Sequence, residues 1–140
     1  MSYEIYFENI KKKFERIIKS DLLSFESVNK KKKVIGVYFI YSEDKEKPIY
    51  IGKTNNFHVR FGTDLKYEST HTLHKKLLNK GLSKEEIREL LINRWSYRVE
   101  ECEDEMEAEA LEHFAIFIFK PKYNAHIYNS SNKRENVEEE

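Results

Sequence analysis

The stretch Val34-Ile35-Gly36-Val37-Tyr38-Phe39-Ile40-Tyr41, followed by Pro48-Ile49-Tyr50-Ile51-Gly52-Lys53, decides the fold. Between the two runs, Ser42 to Lys47 holds only polar and charged residues. β-branched and aromatic runs flanking a short polar break predict a β-hairpin with a six-residue loop. Gly36 and Gly52 are unusual beside a strand, because glycine weakens strands and marks places where another backbone or a ligand comes close. Tyr38 stands two residues after the first glycine, and Tyr50 two before the second.

Outward from the hairpin, residues 3 to 19 read as an amphipathic helix, with Phe7, Ile10, Phe14, Ile17 and Ile18 on one face. A polar linker leads to the run Lys30 to Lys33, which reads either as a solvated approach to the strand or as a phosphate contact. Beyond Lys53, Thr54 or Asn55 can cap a helix carrying Phe57, Arg60 and Phe61. A second short helix is expected from Ser69 or Thr70, with Leu73 and Leu77 on its apolar face and Gly81 at its end. Ser83 and Glu86 form a capping box, and Leu82 with Ile87 a hydrophobic staple. Trp95 to Glu100 alternates with period two, as a half-buried strand does. Asp104 and Glu107 repeat the capping pattern ahead of a last helix, which should stop near Lys120 because Pro121 disfavours helical geometry before it. The polar tail from Ser130 has the composition of a disordered segment.

At 140 residues the chain has room for one ordinary domain. Its 25 basic and 25 acidic side chains balance, but unevenly along the chain. Residues 1–60 carry 13 Lys/Arg against 8 Asp/Glu, and residues 61–140 carry 12 against 17. A basic N-terminal half can meet a phosphate backbone. The longest apolar run, Val34 to Tyr41, is far too short for a membrane span, and no signal-peptide pattern stands at the N-terminus. Cys102 is the only cysteine, so no intrachain disulfide can form and a reducing, cytoplasmic setting is expected.

The last helix carries the chemistry. Eight of the ten residues Ala110 to Phe119 are apolar, so it is expected to be largely buried. Glu112 shares a face with Ala108, Ala115, Ile116 and Phe119. A carboxylate among such neighbours is costly unless it is paired or holds a metal. On the helix alone, a salt bridge to one of the many lysines or arginines is the favoured reading, ahead of a metal site, since structural ion pairs are commoner than sites. His71 and His74 stand one turn apart, a metal-binding spacing that lacks a third ligand nearby, and read as a surface pair. His113 is expected to face away from Glu112, and His58 stands two residues before Arg60.

Gly36-Val37-Tyr38 and Tyr50-Ile51-Gly52 together resemble the two-part signature of the GIY-YIG nucleases. Those nucleases carry an arginine about ten residues past the second tyrosine, and Arg60 stands there. They then place a metal-binding glutamate in an apolar helix, followed by Pro-x-Tyr-Asn. Here Glu112 precedes Pro121-Lys122-Tyr123-Asn124, with a gap of twelve to the asparagine as in the excision-repair members. The match spans about residues 34 to 127 in the family's order. It departs by Val37 for isoleucine, by a wider spacing of the tyrosines, and by the lack of the histidine that some restriction enzymes carry after the arginine.

The resemblance implies an α/β (α+β) fold, a small three-stranded antiparallel sheet flanked by helices, with strands near 34–41, 48–52 and 95–101. It implies residues 1–33 as an N-terminal helix and basic linker, 34–128 as the nuclease domain and 129–140 as a tail. It implies a divalent-metal-dependent DNA endonuclease or nicking enzyme using Mg²⁺ or Mn²⁺ on Glu112. Tyr50 is the expected proton acceptor, Tyr38 its helper, and Arg60 the phosphate clamp. Gly52, Lys53 and Asn124 line the substrate site, and Lys31 and Lys32 extend it along DNA. A protein partner can supply specificity, since no recognition module is evident. The alternatives are an inactive nucleic-acid-binding module of the same fold and an interaction domain built on the N-terminal helix.

Overall fold

The computed structural model describes residues 3–25, 35–55 and 72–125. Its elements are α1 (Tyr3–Lys19), β1 (Leu23–Ser24), β2 (Gly36–Tyr41), β3 (Tyr50–Thr54), α2 (Thr72–Asn79), α3 (Lys84–Asn93), β4 (Ser96–Glu101) and α4 (Glu105–Phe119), followed by a 3₁₀ turn at Lys122–Asn124. The strands form one antiparallel sheet in the order β1-β4-β2-β3. The expected three strands are present, and a fourth joins them. Leu23–Ser24, placed in the linker by sequence, pairs with Ser96 and Tyr97. Two residues carry too little alternation to signal a strand.

β2 is buried along its whole length. Strand side chains alternate between faces, and β2 sends Tyr38 and Ile40 to one core and Val37, Phe39 and Tyr41 to the other. The first core packs under α2 and α3 through Leu73, Leu77, Ile87 and Leu91. The second packs under α1 and α4 through Ile17, Leu111, Ala115 and Ile116. The sheet is therefore the middle of three layers.

The local signals hold. Ser83 Oγ accepts from the Glu86 amide at 3.1 Å, and the Glu86 carboxylate accepts from the Ser83 amide at 2.8 Å. Asp104 accepts from the Glu107 amide at 2.8 Å, while the Glu107 carboxylate reaches the Glu103 amide instead of closing a box. α2 begins at Thr72, and Gly81 after it takes a φ of +101°, which glycine adopts without strain. α4 ends at Phe119, one residue before Lys120, which adopts left-handed geometry.

Three expectations of burial change. α4 is not largely buried, since Phe117 and Ile118 are exposed. Its apolar residues run all round the helix, and one sheet can cover only one side. Phe7 on α1 is exposed as well, because the helix meets the core through its later turns, at Ile17. His74 is fully buried rather than at the surface, beside Leu73 and Leu77 on α2. His58 and His71 lie outside the described residues.

Glu100 at the inner end of β4 anchors α1. Arg16 approaches its carboxylate at 3.0 Å and Lys13 at 3.9 Å. Burial nonetheless pushes its pKa up, with the two cations pulling against that rise. A folded-state pKa above the ordinary 4.5 favours the protonated form in the fold. The stabilisation is present at acid pH and is lost as pH rises through the raised value. Glu100→Gln should therefore flatten the fall in unfolding free energy above pH 4.5, measured by urea titration across that range. A slope identical to wild type would overturn the assignment.

Candidate active site

The two glycines are explained by what faces them. Gly52 pairs with Tyr38 across β2 and β3, and the Tyr38 ring lies over it. A Cβ on Gly52 would overlap the Tyr38 hydroxyl and ring. A Cβ on Gly36 would meet the Glu100 carbonyl oxygen at 2.6 Å. Gly36 thus lets β2 approach β4, and Gly52 lets Tyr38 lie flat across the hairpin. Tyr50 stands on the same face as Tyr38, with ring centroids 6.3 Å apart.

Lys53 is out of step with Tyr50 and Gly52 and, with Ile51, faces the α4 side. Glu112 comes from that side. Its side chain is only 12% exposed. Burial pushes its carboxyl pKa up, while His113 and Lys53 pull it down. The ammonium of Lys53 is therefore near enough for its charge to be felt at the carboxylate. Nε2 of His113, more exposed and on another face of the helix, lies 3.7 Å from Oε1 of Glu112. Consecutive helical positions diverge, and only the length of the two side chains brings them together; no periodicity shows that.

β3 lies at the edge of the sheet. The 3₁₀ turn after α4 covers this edge. Asn124 Nδ2 donates to the Ile51 carbonyl at 2.9 Å, and the Ile51 amide donates to Asn124 Oδ1 at 2.8 Å. The Tyr123 amide donates to the Ile49 carbonyl at 3.0 Å. A buried asparagine side chain thus does the work of a neighbouring strand, satisfying both backbone groups of one edge residue.

The structure brings Tyr38, Tyr50 and Gly52 together on one face of the β2–β3 hairpin, sets Lys53 and Glu112 on the other side, and places Asn124 against the β3 edge. Arg60, Lys31 and Lys32 lie outside the described residues. Among the described residues, no three His, Cys, Asp or Glu side chains gather to hold a metal. Glu112 suits a different kind of metal site. Mg²⁺ is commonly held by one or two carboxylates and otherwise keeps water or phosphate oxygens, and a desolvated, incompletely compensated carboxylate is a ligand of that kind. Among the described residues no helix is long and apolar enough to cross a membrane.

The fold and these residues define a mixed α+β domain with paired tyrosines on a hairpin and an acid on the helix beside it. The chain is similar to the GIY-YIG N-terminal endonuclease domain of UvrC from Thermotoga maritima, solved with magnesium as its catalytic divalent cation, at 26% identity over 83% of this chain and 96% of that one, with a TM-score of 0.47. It is similar also to a tyrosine-to-phenylalanine mutant of that domain bound to its catalytic cation, at 25% identity over 83% and 94%, TM-score 0.46. No family profile and no curated protein matches the chain.

Proposed function

We propose that the chain is a divalent-metal-dependent endonuclease that hydrolyses DNA phosphodiester bonds. The observation that carries this reading is Glu112: a single carboxylate, largely withdrawn from water, that feels the charge of the lysine directly following Tyr50-Ile51-Gly52.

Cleaving a phosphodiester requires an activated water, relief of charge on the phosphoryl oxygens and a stabilised leaving oxygen. A bound Mg²⁺ or Mn²⁺ supplies charge relief and lowers the pKa of water, and Glu112 is the residue that would hold it. Tyr50 accepts the proton of the attacking water, with Tyr38 held beside it. A phenol has an ordinary pKa near 10, so it needs cationic neighbours to serve as a base at neutral pH. Arg60 and Lys53 are the candidates, and Arg60 can also fork onto the scissile phosphate. Asn124 acts through Ile51, fixing the strand that carries Tyr50 and Lys53. Lys31 and Lys32 add sequence-independent contacts to the DNA backbone.

Supercoiled plasmid should be nicked with Mg²⁺ or Mn²⁺ and left intact with a chelator. Tyr50→Phe keeps the strand packing and should lower cleavage strongly at nearly unchanged DNA affinity. Arg60→Ala should cost roughly a hundredfold, and Arg60→Lys should not rescue it, since an ammonium cannot make the paired planar contact. An inactive binding module predicts the reverse: no metal-dependent cleavage in wild type, and weaker binding in Arg60→Ala. If wild type cleaves and Tyr50→Phe cleaves equally well, the proton acceptor is not Tyr50.

A further inference from the structure

We propose that the groove between α1 and α4 is a docking site for a basic amphipathic helix of a partner protein. The groove, about 290 Å³, is lined by none of the described residues of the proposed catalysis and has apolar walls of Tyr6, Ile10, Met106 and Ala110. Glu103 and Asp104 stand exposed along it, and Glu107, deeper, is paired with Lys13 at 3.6 Å. An adjoining hollow on α1 adds Ile5 with Glu4 and Glu8, and one cation, Lys12. With Glu107 paired to Lys13, the acids Glu4, Glu8, Glu103 and Asp104 stand around the two hollows with one cation, Lys12.

The apolar residues here are not scattered. Met106 is 80% exposed, Tyr3 71% and Phe7 69%, and the Tyr3 and Phe7 rings meet edge to face at 5.6 Å. Exposed aromatics grouped on one helix and rimmed by charge mark an interaction surface. A furrow between two helices fits a third helix, whose anchors at intervals of three and four residues would enter it.

Charge selects the occupant. Nucleic acid is repelled by this rim. A second copy, related by a two-fold axis, would set acid rim against acid rim. The chain's own C-terminus ends in Glu138-Glu139-Glu140 and brings the wrong sign, and the Lys30–Lys33 run has the right sign but no apolar spacing. A helix with apolar anchors and flanking Lys or Arg meets both requirements.

The test uses the full chain, labelled at its methionine methyl groups, and a synthetic 18-residue peptide of Leu and Lys in helical register, written with about five turns. A second peptide has Glu at each Lys. The Lys peptide should shift the Met106 methyl resonance and bind more weakly as salt rises. Calorimetry should show at least tenfold weaker binding to the double variant Glu8→Lys, Glu103→Lys, and to Met106→Ser, whose exposed position tolerates the change. Equal binding by both peptides, no binding by the Lys peptide, or binding unaffected by all these substitutions would overturn the proposal. So would a Met106 shift that follows protein concentration without peptide, together with a dimer in sedimentation equilibrium; that result would assign the face to a second copy.

Discussion

Glu112→Gln should abolish metal-dependent nicking, lowering the rate by about a thousandfold or more, because it removes the charge of the carboxylate proposed to hold the cation. Glutamine keeps the size and hydrogen-bonding shape of the side chain. The largely buried carboxyl is already pushed toward its neutral form, so the fold should lose little. The substitution thus separates chemistry from stability. Mn²⁺ binding, read by calorimetry or by the loss of free-ion signal in electron paramagnetic resonance, should fall with the rate. A second readout follows from the raised pKa. Metal must displace the proton from Glu112, so wild-type affinity should drop as pH falls through that elevated value. If Glu112→Gln binds Mn²⁺ as tightly as wild type, the cation is held elsewhere and Glu112 is half of a structural pair with Lys53 or His113.

The second large effect is on stability. Asn124→Ala removes both partners of Ile51 at once and leaves a buried amide and a buried carbonyl without the groups that met them. Each orphaned group costs about 1–3 kcal/mol, so the loss should be about 2–6 kcal/mol in denaturant unfolding. Asn124→Asp keeps the acceptor for the Ile51 amide but sets a carboxylate against the Ile51 carbonyl, and it should be no better than alanine at neutral pH. A direct substrate contact predicts a different pattern, in which Asn124→Ala loses activity while its unfolding midpoint stays at the wild-type value. The two outcomes decide whether the asparagine of the Pro121-Lys122-Tyr123-Asn124 motif serves the edge strand or the DNA.

Much of this molecule is determined by residues close together in sequence. The hairpin, the Ser83–Glu86 box, the Gly81 terminus of α2 and the end of α4 before Pro121 all rest on interactions spanning only a few residues, where spacing and residue type suffice. The motif residues Tyr38, Tyr50, Glu112 and Asn124 were legible for the same reason, as types at fixed intervals. What they touch was not. Gly52 is required by a ring on the opposite strand, and only the register of β2 with β3 places that ring. Asn124 meets Ile51 from 73 residues away. α1 reads equally well as a separate appendage, yet Ile17 closes the second core while Phe7 on the same stripe stays in water. His74 sits inside because α2 turns that side toward the sheet. Periodicity states that a helix has an apolar side; which part of that side finds a partner depends on how the layers stack, and this the tertiary structure alone decides.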